Sequence, residues 1–335
     1  MSSILRIGAL GLAVATGIAA APAEPGYTLV ELPHPGGSYT QPVAINDRRQ
    51  VVGYTVGEAG YPILWQNGVV TRLPAPAGTL RALPEDINVF GDIAGIATLP
   101  DEFFSPRAMI WRRGQPIVLD MFPGGFISQA VAINDWGLVA GIADDGVRVE
   151  ATVWLNGTPM FLGALPSTTG FGYSEATDVN NLGQVVGHSV VDSVNSHAVL
   201  WHRGQMIDLG TLPGDTHSIA HAINDRGQIV GISANVPAST ERAFLWENGV
   251  MRDLGTVVGD TYARAADINI FGVAVGVSGT VTPCAAVFIP GRVVRLPTPP
   301  GGGFSSALEM NNLGDIVGLV WPPTGLQGVV WLRRQ

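Results

Sequence analysis

AINDRGQIVG, residues 222–231, decides how the chain is read, because AINDWGLVAG (132–141) and VNNLGQVVG (179–187) spell nearly the same thing elsewhere. Asparagine closes a turn by bonding backbone amides two residues on, and it tolerates unusual dihedrals. Glycine three residues later supplies the positive φ that a short hairpin loop demands. The stretch is therefore a β-hairpin: an apolar strand end, an Asn-x-x-Gly turn, and a second strand finishing at glycine.

Aligning on the asparagine gives Asn46, Asn88, Asn134, Asn180, Asn224, Asn269 and Asn311, spaced 42 to 46 residues apart. Seven units result: 27–70, 71–117, 118–159, 160–206, 207–251, 252–294 and 295–335. Periods of this size point to solenoids or propellers. The turn glycine recurs in every unit except the first, where Arg49 stands. A third segment ends in Trp65, Trp111, Trp154, Trp201, Trp246 and Trp331, with Ile289 read in that place in unit six. A Trp-x-x-Gly turn then leads into a fourth segment such as IDLGTL (207–212).

Four strands per unit make an antiparallel meander, which favours a propeller blade over a solenoid turn. The chain opens with a fourth-type strand, YTLVEL (27–32), and closes with a third-type strand, GVVWLRR (328–334). Joining them completes the last blade and leaves no unpaired terminal edge. The expected fold is all-β: a seven-bladed β-propeller of four-stranded antiparallel blades, its ring closed by the N-terminal strand. The tryptophans are expected to wedge between blades. Small residues four before each asparagine, among them Pro42, Pro84 and Ala130, suit a crowded centre.

Composition agrees. Apolar residues make up 46% of 335 residues and charged ones 13%, enough for a sizeable core, while 44 glycines and 24 prolines mark many turns. Every basic residue is an arginine, the arginines are scattered, and the net charge is −9, so no basic stripe exists to grip nucleic acid.

At the N-terminus Arg6 precedes an apolar run, and Ala21-Pro22-Ala23 has the small-x-small form of a cleavage site. Residues 1–23 read as a signal peptide and 24–335 as the mature propeller, exported to the periplasm or beyond. The run is too short for a membrane-spanning anchor. Cys284 is the single cysteine, so no intramolecular disulfide forms.

The pattern D-L-G-T-L-P-G-x-x-S-x-A-x-x-I-N-x-x-G-x-x-V-G, best in units four and five, resembles the HAF repeat of exported bacterial proteins. The triplet naming that family appears partially, as His197-Ala198-Val199 and Arg242-Ala243-Phe244. The resemblance spans the chain after the leader and implies a β-propeller and export; it implies no mechanism.

No nucleophile elbow, His-Glu-x-x-His helix, phosphate loop or zinc spacing appears. The Asn and Trp turns hold their length, whereas the second-to-third loops vary, and variable loops on a rigid scaffold are where binding evolves. Near that loop end, seven residues before each asparagine, lie Tyr39, Arg81, Ile127, Tyr173, His217, Tyr262 and Phe304. This tier suits a sugar or peptide; blade-to-blade packing is the competing reading. Five of six histidines, His188, His197, His202, His217 and His221, fall at different strand positions and on both faces, which argues against a metal site. Asp215, Asp260, Asp144-Asp145 and Asp101-Glu102 read as solvated loop acids, with calcium the alternative. Asp86, Asp178 and Asp267, like Asp47, Asp135 and Asp225, read as turn caps.

The resulting expectation is an exported, non-catalytic binding module that contacts a glycan or protein at the cell surface through the variable loops. The alternatives are a hydrolase or lyase of cell-envelope polysaccharide, using carboxylates or His217, and a structural surface protein.

Overall fold

The computed structural model describes residues 26–57, 60–100, 105–170, 172–235, 240–301 and 303–334. The leader and the Asp101-Glu102 pair lie outside the described residues. The strands, numbered β1 to β28 in chain order, form seven four-stranded antiparallel sheets. Blade one sets the pattern: β2 (Tyr39–Ile45), β3 (Val51–Val56), β4 (Pro62–Gln66) and β5 (Val69–Arg72) pair in sequence order. Blade seven holds β26 (Ser305–Met310), β27 (Ile316–Val320) and β28 (Gln327–Arg333), and takes β1 (Tyr27–Glu31) as its fourth strand. Tyr27 lies opposite Arg333 and Glu31 opposite Val329. The two chain ends share a blade.

Both turns have the expected chemistry. In the first, the Asn46 carbonyl accepts the Arg49 amide and the Asn46 side chain accepts the amides of Arg48 and Gln50. Arg49 holds φ 59°, a conformation that glycine takes in the other blades. In the second, Gln66 faces Val69 across Asn67 and Gly68, whose φ values of 51° and 82° make a type I′ hairpin.

Blade six corrects one assignment. Phe288, not Ile289, faces the first residue of its second strand, Ala274, as Trp65 faces Val51. Phe288-Ile289-Pro290-Gly291 is therefore that blade's aromatic turn. The variable loop just upstream hides this register, because residues cannot be counted across it from the preceding glycine.

Strand one carries a bulge in all seven blades, for example between Pro42 and Ala44 and between Ala220 and Ala222. The second-strand glycine sits against it. A Cβ on Gly231 would lie 2.0 Å from the Ile219 carbonyl oxygen, so close approach, rather than φ, requires glycine there. The bulge also tolerates Pro42 and Pro84 in an inner strand.

The core lies between blades as clusters that draw on neighbouring sheets. Trp111, Trp154 and Trp331 are almost wholly buried, and their indole N–H groups donate to the carbonyls of Pro74, Asp120 and Pro297. Trp65 and Trp201 are also buried. Trp246 is the exception to the expected wedge and stays half-buried. Phe244, two residues earlier, is fully buried where the smaller Thr152 and Val199 stand in other blades.

Candidate functional site

The first strands line a central channel whose ends differ. At the turn end six of the seven asparagines also tie their blade to the next. Asn134 Nδ2 donates to the Asn180 carbonyl (3.0 Å) and Asn180 Nδ2 to the Asn224 carbonyl (3.0 Å); Asn46, Asn88, Asn224 and Asn311 make the same link. The following residue adds a second belt: Asp135 accepts the Val89 amide, Asp225 the Asn181 amide and Asp47 the Asn312 amide.

The acids two before asparagine are likewise not caps of their own turns. Asp86 accepts the Ile87 and Ile133 amides, Asp178 those of Val179 and Ile223, and Asp267 those of Ile268 and Met310. Glu309 accepts the Ile45 amide across the closure. Each reaches the amide just before the neighbouring blade's asparagine. Sequence spacing cannot separate a bond to a blade's own turn from one to the equivalent atom next door. Burial, the largest cause, pushes Asp178 up to about 8 and Asp86 and Asp267 up to about 6. Glu309 is raised well above the carboxylate range, by burial and then by Asp86 and Asp267. Asp86 and Asp178 border both a cavity of about 470 Å³ at the turn end and one of about 180 Å³ deeper in the channel. The deeper one also meets Glu85, which burial raises to about 7, and His221.

At the loop end the expected tier stands at the start of each first strand. Arg81 lies over the Tyr54 ring at 5.4 Å. Tyr39 and Ile127 line separate cavities. Tyr262 and Phe304 are half-buried. Tyr173 and His217 belong to a closer group on blades four and five. Tyr173 donates its hydroxyl to Glu175 Oε2 (3.2 Å), and its ring centroid is 6.2 Å from that of His188. His188 pairs across the hairpin with Glu175. Its Nδ1 is buried without a hydrogen-bond partner. Burial, then the nearby His217 and His221, pulls His188 down to about 4. His217 and His221 are lowered too, chiefly by burial. His217 Nδ1 accepts the Ser196 amide at 3.0 Å, and His221 Nδ1 donates to the Ala265 carbonyl at 2.6 Å. That bond leaves the His221 Nε2 as the acceptor. Tyr173 is raised to about 12 by burial and then Glu175.

His188 thus sits within electrostatic reach of both His217 and His221, closer than their strand positions suggested. Counting residues across the hairpin from Glu175 would have found His188. Among the described residues no group of three or more His, Cys, Asp or Glu side chains is arranged to hold a metal.

Asp215, Asp260 and Asp144 are held by protein partners, whereas Asp145 stays at the surface in an ion pair with Arg148. Asp215 accepts the Ser233 hydroxyl (2.7 Å) and pairs with Arg242 (2.8 Å). Asp260 does the same with Ser278 (2.8 Å) and Arg295 (2.9 Å), and Asp144 accepts the Phe126 and Ile127 amides. They pin the blade-to-blade connections. His197 bonds Asp208 at 2.9 Å.

No family model and no curated protein matches the chain. Solved structures do. The propeller domain of the Trilobed protease from Pyrococcus furiosus superposes with a TM-score of 0.58 at 9% identity, over 88% of this chain and 92% of that one. The chain shares the β-propeller fold. A virginiamycin B lyase from Staphylococcus aureus gives 0.55 at 10% identity, over 92% and 100% of the two chains. A puromycin-hydrolyzing peptidase from Mycobacterium tuberculosis gives 0.56 at 14%, over 88% of this chain; the chain spans about half of that peptidase's length, 51%. At these identities the likeness is one of fold. The archaeal domain is described as having an open velcro topology, whereas here β1 pairs with β28. Among the described residues no helix is long and apolar enough to cross a membrane.

Proposed function

We propose that the protein is an exported β-propeller of the HAF-repeat type that acts as a hydrolase or lyase on a cell-envelope polysaccharide in the periplasm or outside the cell. One observation carries this reading: Tyr173, Glu175 and His188 gather on blade four within electrostatic reach of His217 and His221 on blade five, and all three imidazoles are held neutral. A neutral imidazole can accept a proton, and a tyrosine hydroxyl held on a carboxylate can deliver one. That pairing serves both glycosidic cleavage and elimination. Arg81, Tyr39 and Tyr262, in the same tier, supply faces and a charge for a sugar chain.

The non-catalytic binding reading keeps one support. Both oxygens of Asp86, Asp178 and Asp267 are taken by main-chain amides, so these perturbed acids hold blades together and leave less acid–base chemistry to the channel. Incubating residues 24–335 with cell-envelope polysaccharides, and following new reducing ends and the ultraviolet absorbance of unsaturated products, separates the two. Turnover abolished by His217→Ala and by Tyr173→Phe, with binding retained, supports catalysis. Binding without turnover rejects it.

A further inference from the structure

The residue two after each turn asparagine stands at the tip of its turn, where solvent favours polar side chains. Here that position is Phe90, Trp136, Leu182, Phe271 and Leu313 in five blades, and Arg48 and Arg226 in the other two. Phe90 is 62%, Trp136 80% and Phe271 65% exposed. Because the turns are of one length and one geometry, the seven tips form a ring around the mouth of the turn-end cavity. Phe90, Trp136 and Leu182 stand on three consecutive blades and Phe271 and Leu313 on two, so the exposed apolar tips form two arcs separated by Arg48 and Arg226. Trp136 is also held in place: its indole N–H donates to the Asn181 carbonyl at 2.9 Å, so the ring is presented, not collapsed.

Inside the ring the character reverses. The cavity of about 470 Å³ is walled by Asp47, Asp86, Asp135, Asp178 and Asp225, and no arginine or histidine lines it. The whole chain carries −9 and no lysine. Apolar arcs flanking a cup that carries the carboxylates of Asp47, Asp135 and Asp225 are complementary to a cationic side chain flanked by apolar ones, and the aromatic tips add cation–π attraction. This face is unsuited to a lipid surface, whose phosphates would face the carboxylates, and to a second copy, which would set one acidic cup against another.

We infer that the turn face is a docking surface for a polypeptide segment that presents an arginine or lysine among apolar residues, the cation entering the cup and the apolar side chains covering Phe90, Trp136 and Phe271. This surface lies at the opposite end of the channel from Tyr173 and His217 and does not depend on their chemistry.

The test uses residues 24–335 and a short synthetic peptide of alternating leucine and arginine, with binding read by titration calorimetry. A second peptide carries citrulline for arginine, which keeps shape and removes charge. The double variant Phe90→Ala/Trp136→Ala alters exposed side chains only, and an unchanged melting temperature verifies its fold. The Leu/Arg peptide should bind the wild-type chain and lose at least about tenfold in affinity both with citrulline and with the double variant. Equal affinity for the double variant would mean attraction by net charge alone and would overturn the assignment. So would sedimentation with phosphatidylcholine or phosphatidylglycerol vesicles, or a concentration-dependent dimer, that the double variant abolishes.

Discussion

At the turn end of the channel the blades contribute the same atoms again and again: an asparagine side chain, its carbonyl, and an amide given to the neighbouring blade. At the loop end the equivalent position is tyrosine in three blades and arginine, isoleucine, histidine or phenylalanine in the others. The first end is a fastening. The second is a wall whose chemistry changes with direction, and the sector on blades four and five brings a tyrosine, a glutamate and histidines together. A seven-fold framework can hold a one-sided site because closing the ring and doing chemistry are assigned to different ends.

This contrast can be broken by mutation. At the turn end, Trp201→Ala should cost about 3–5 kcal/mol in chemical denaturation, because it empties a buried site and removes one of the two donors to the Gly163 carbonyl. Trp246→Ala, half-buried beside Phe244, should cost about 1–2 kcal/mol. Equal losses would remove the distinction drawn for blade five. Asn134→Ala deletes bonds to Trp136, Leu138 and the Asn180 carbonyl and should cost about 2–3 kcal/mol. At the loop end, His217→Ala forfeits one bond, from the Ser196 amide, and should cost about 1 kcal/mol. A reversal of those two would show that the loop end, not the turn end, fastens the ring.

The smallest effect is in pH. A carboxyl whose pKa is raised on folding contributes stability fully present below its unfolded value of 3.8, and lost as pH rises through the folded value. For Asp178 the loss runs up to about 8, and for Asp86 and Asp267 to about 6. His188, lowered from 6.5 to about 4, acts in the opposite sense below 6.5. The informative window is therefore pH 6.5 to 8, where the melting temperature should fall as pH rises. Asp178→Asn should reduce that slope, leaving the part that Glu85 and Glu309 contribute; an unchanged slope would locate the titration elsewhere.

The fold was legible because the contacts that build it recur. Asn-x-x-Gly and Trp-x-x-Gly specify two hairpins per unit, and the offset between first and last strand types specifies the closure. What was not legible came from bonds between blades. Asp86 and Asp135 looked like turn caps because the amide they accept next door occupies the same place as one in their own turn. Phe288 was missed by one residue because a loop of variable length precedes it. The loop acids Asp215 and Asp260 hid their arginine and serine partners, which lie on other strands. The site was half-visible: Tyr173 and His217 stand at the repeated tier, but His188 and His221 join them only through pairing across a hairpin and between blades. The apolar turn tips are legible in the sequence as large side chains at a solvent position.

Ring closure underlies both ends, and it rests on β1 lying against β28. In a Cys284→Ala background, cysteines placed at Thr28 and Leu332, which face each other across that pair, test it directly. A closed ring gives an intramolecular disulfide in the monomer under mild oxidation and a higher melting temperature. Free thiols, or cross-linked dimers only, would mean that the N-terminal strand does not complete the seventh blade.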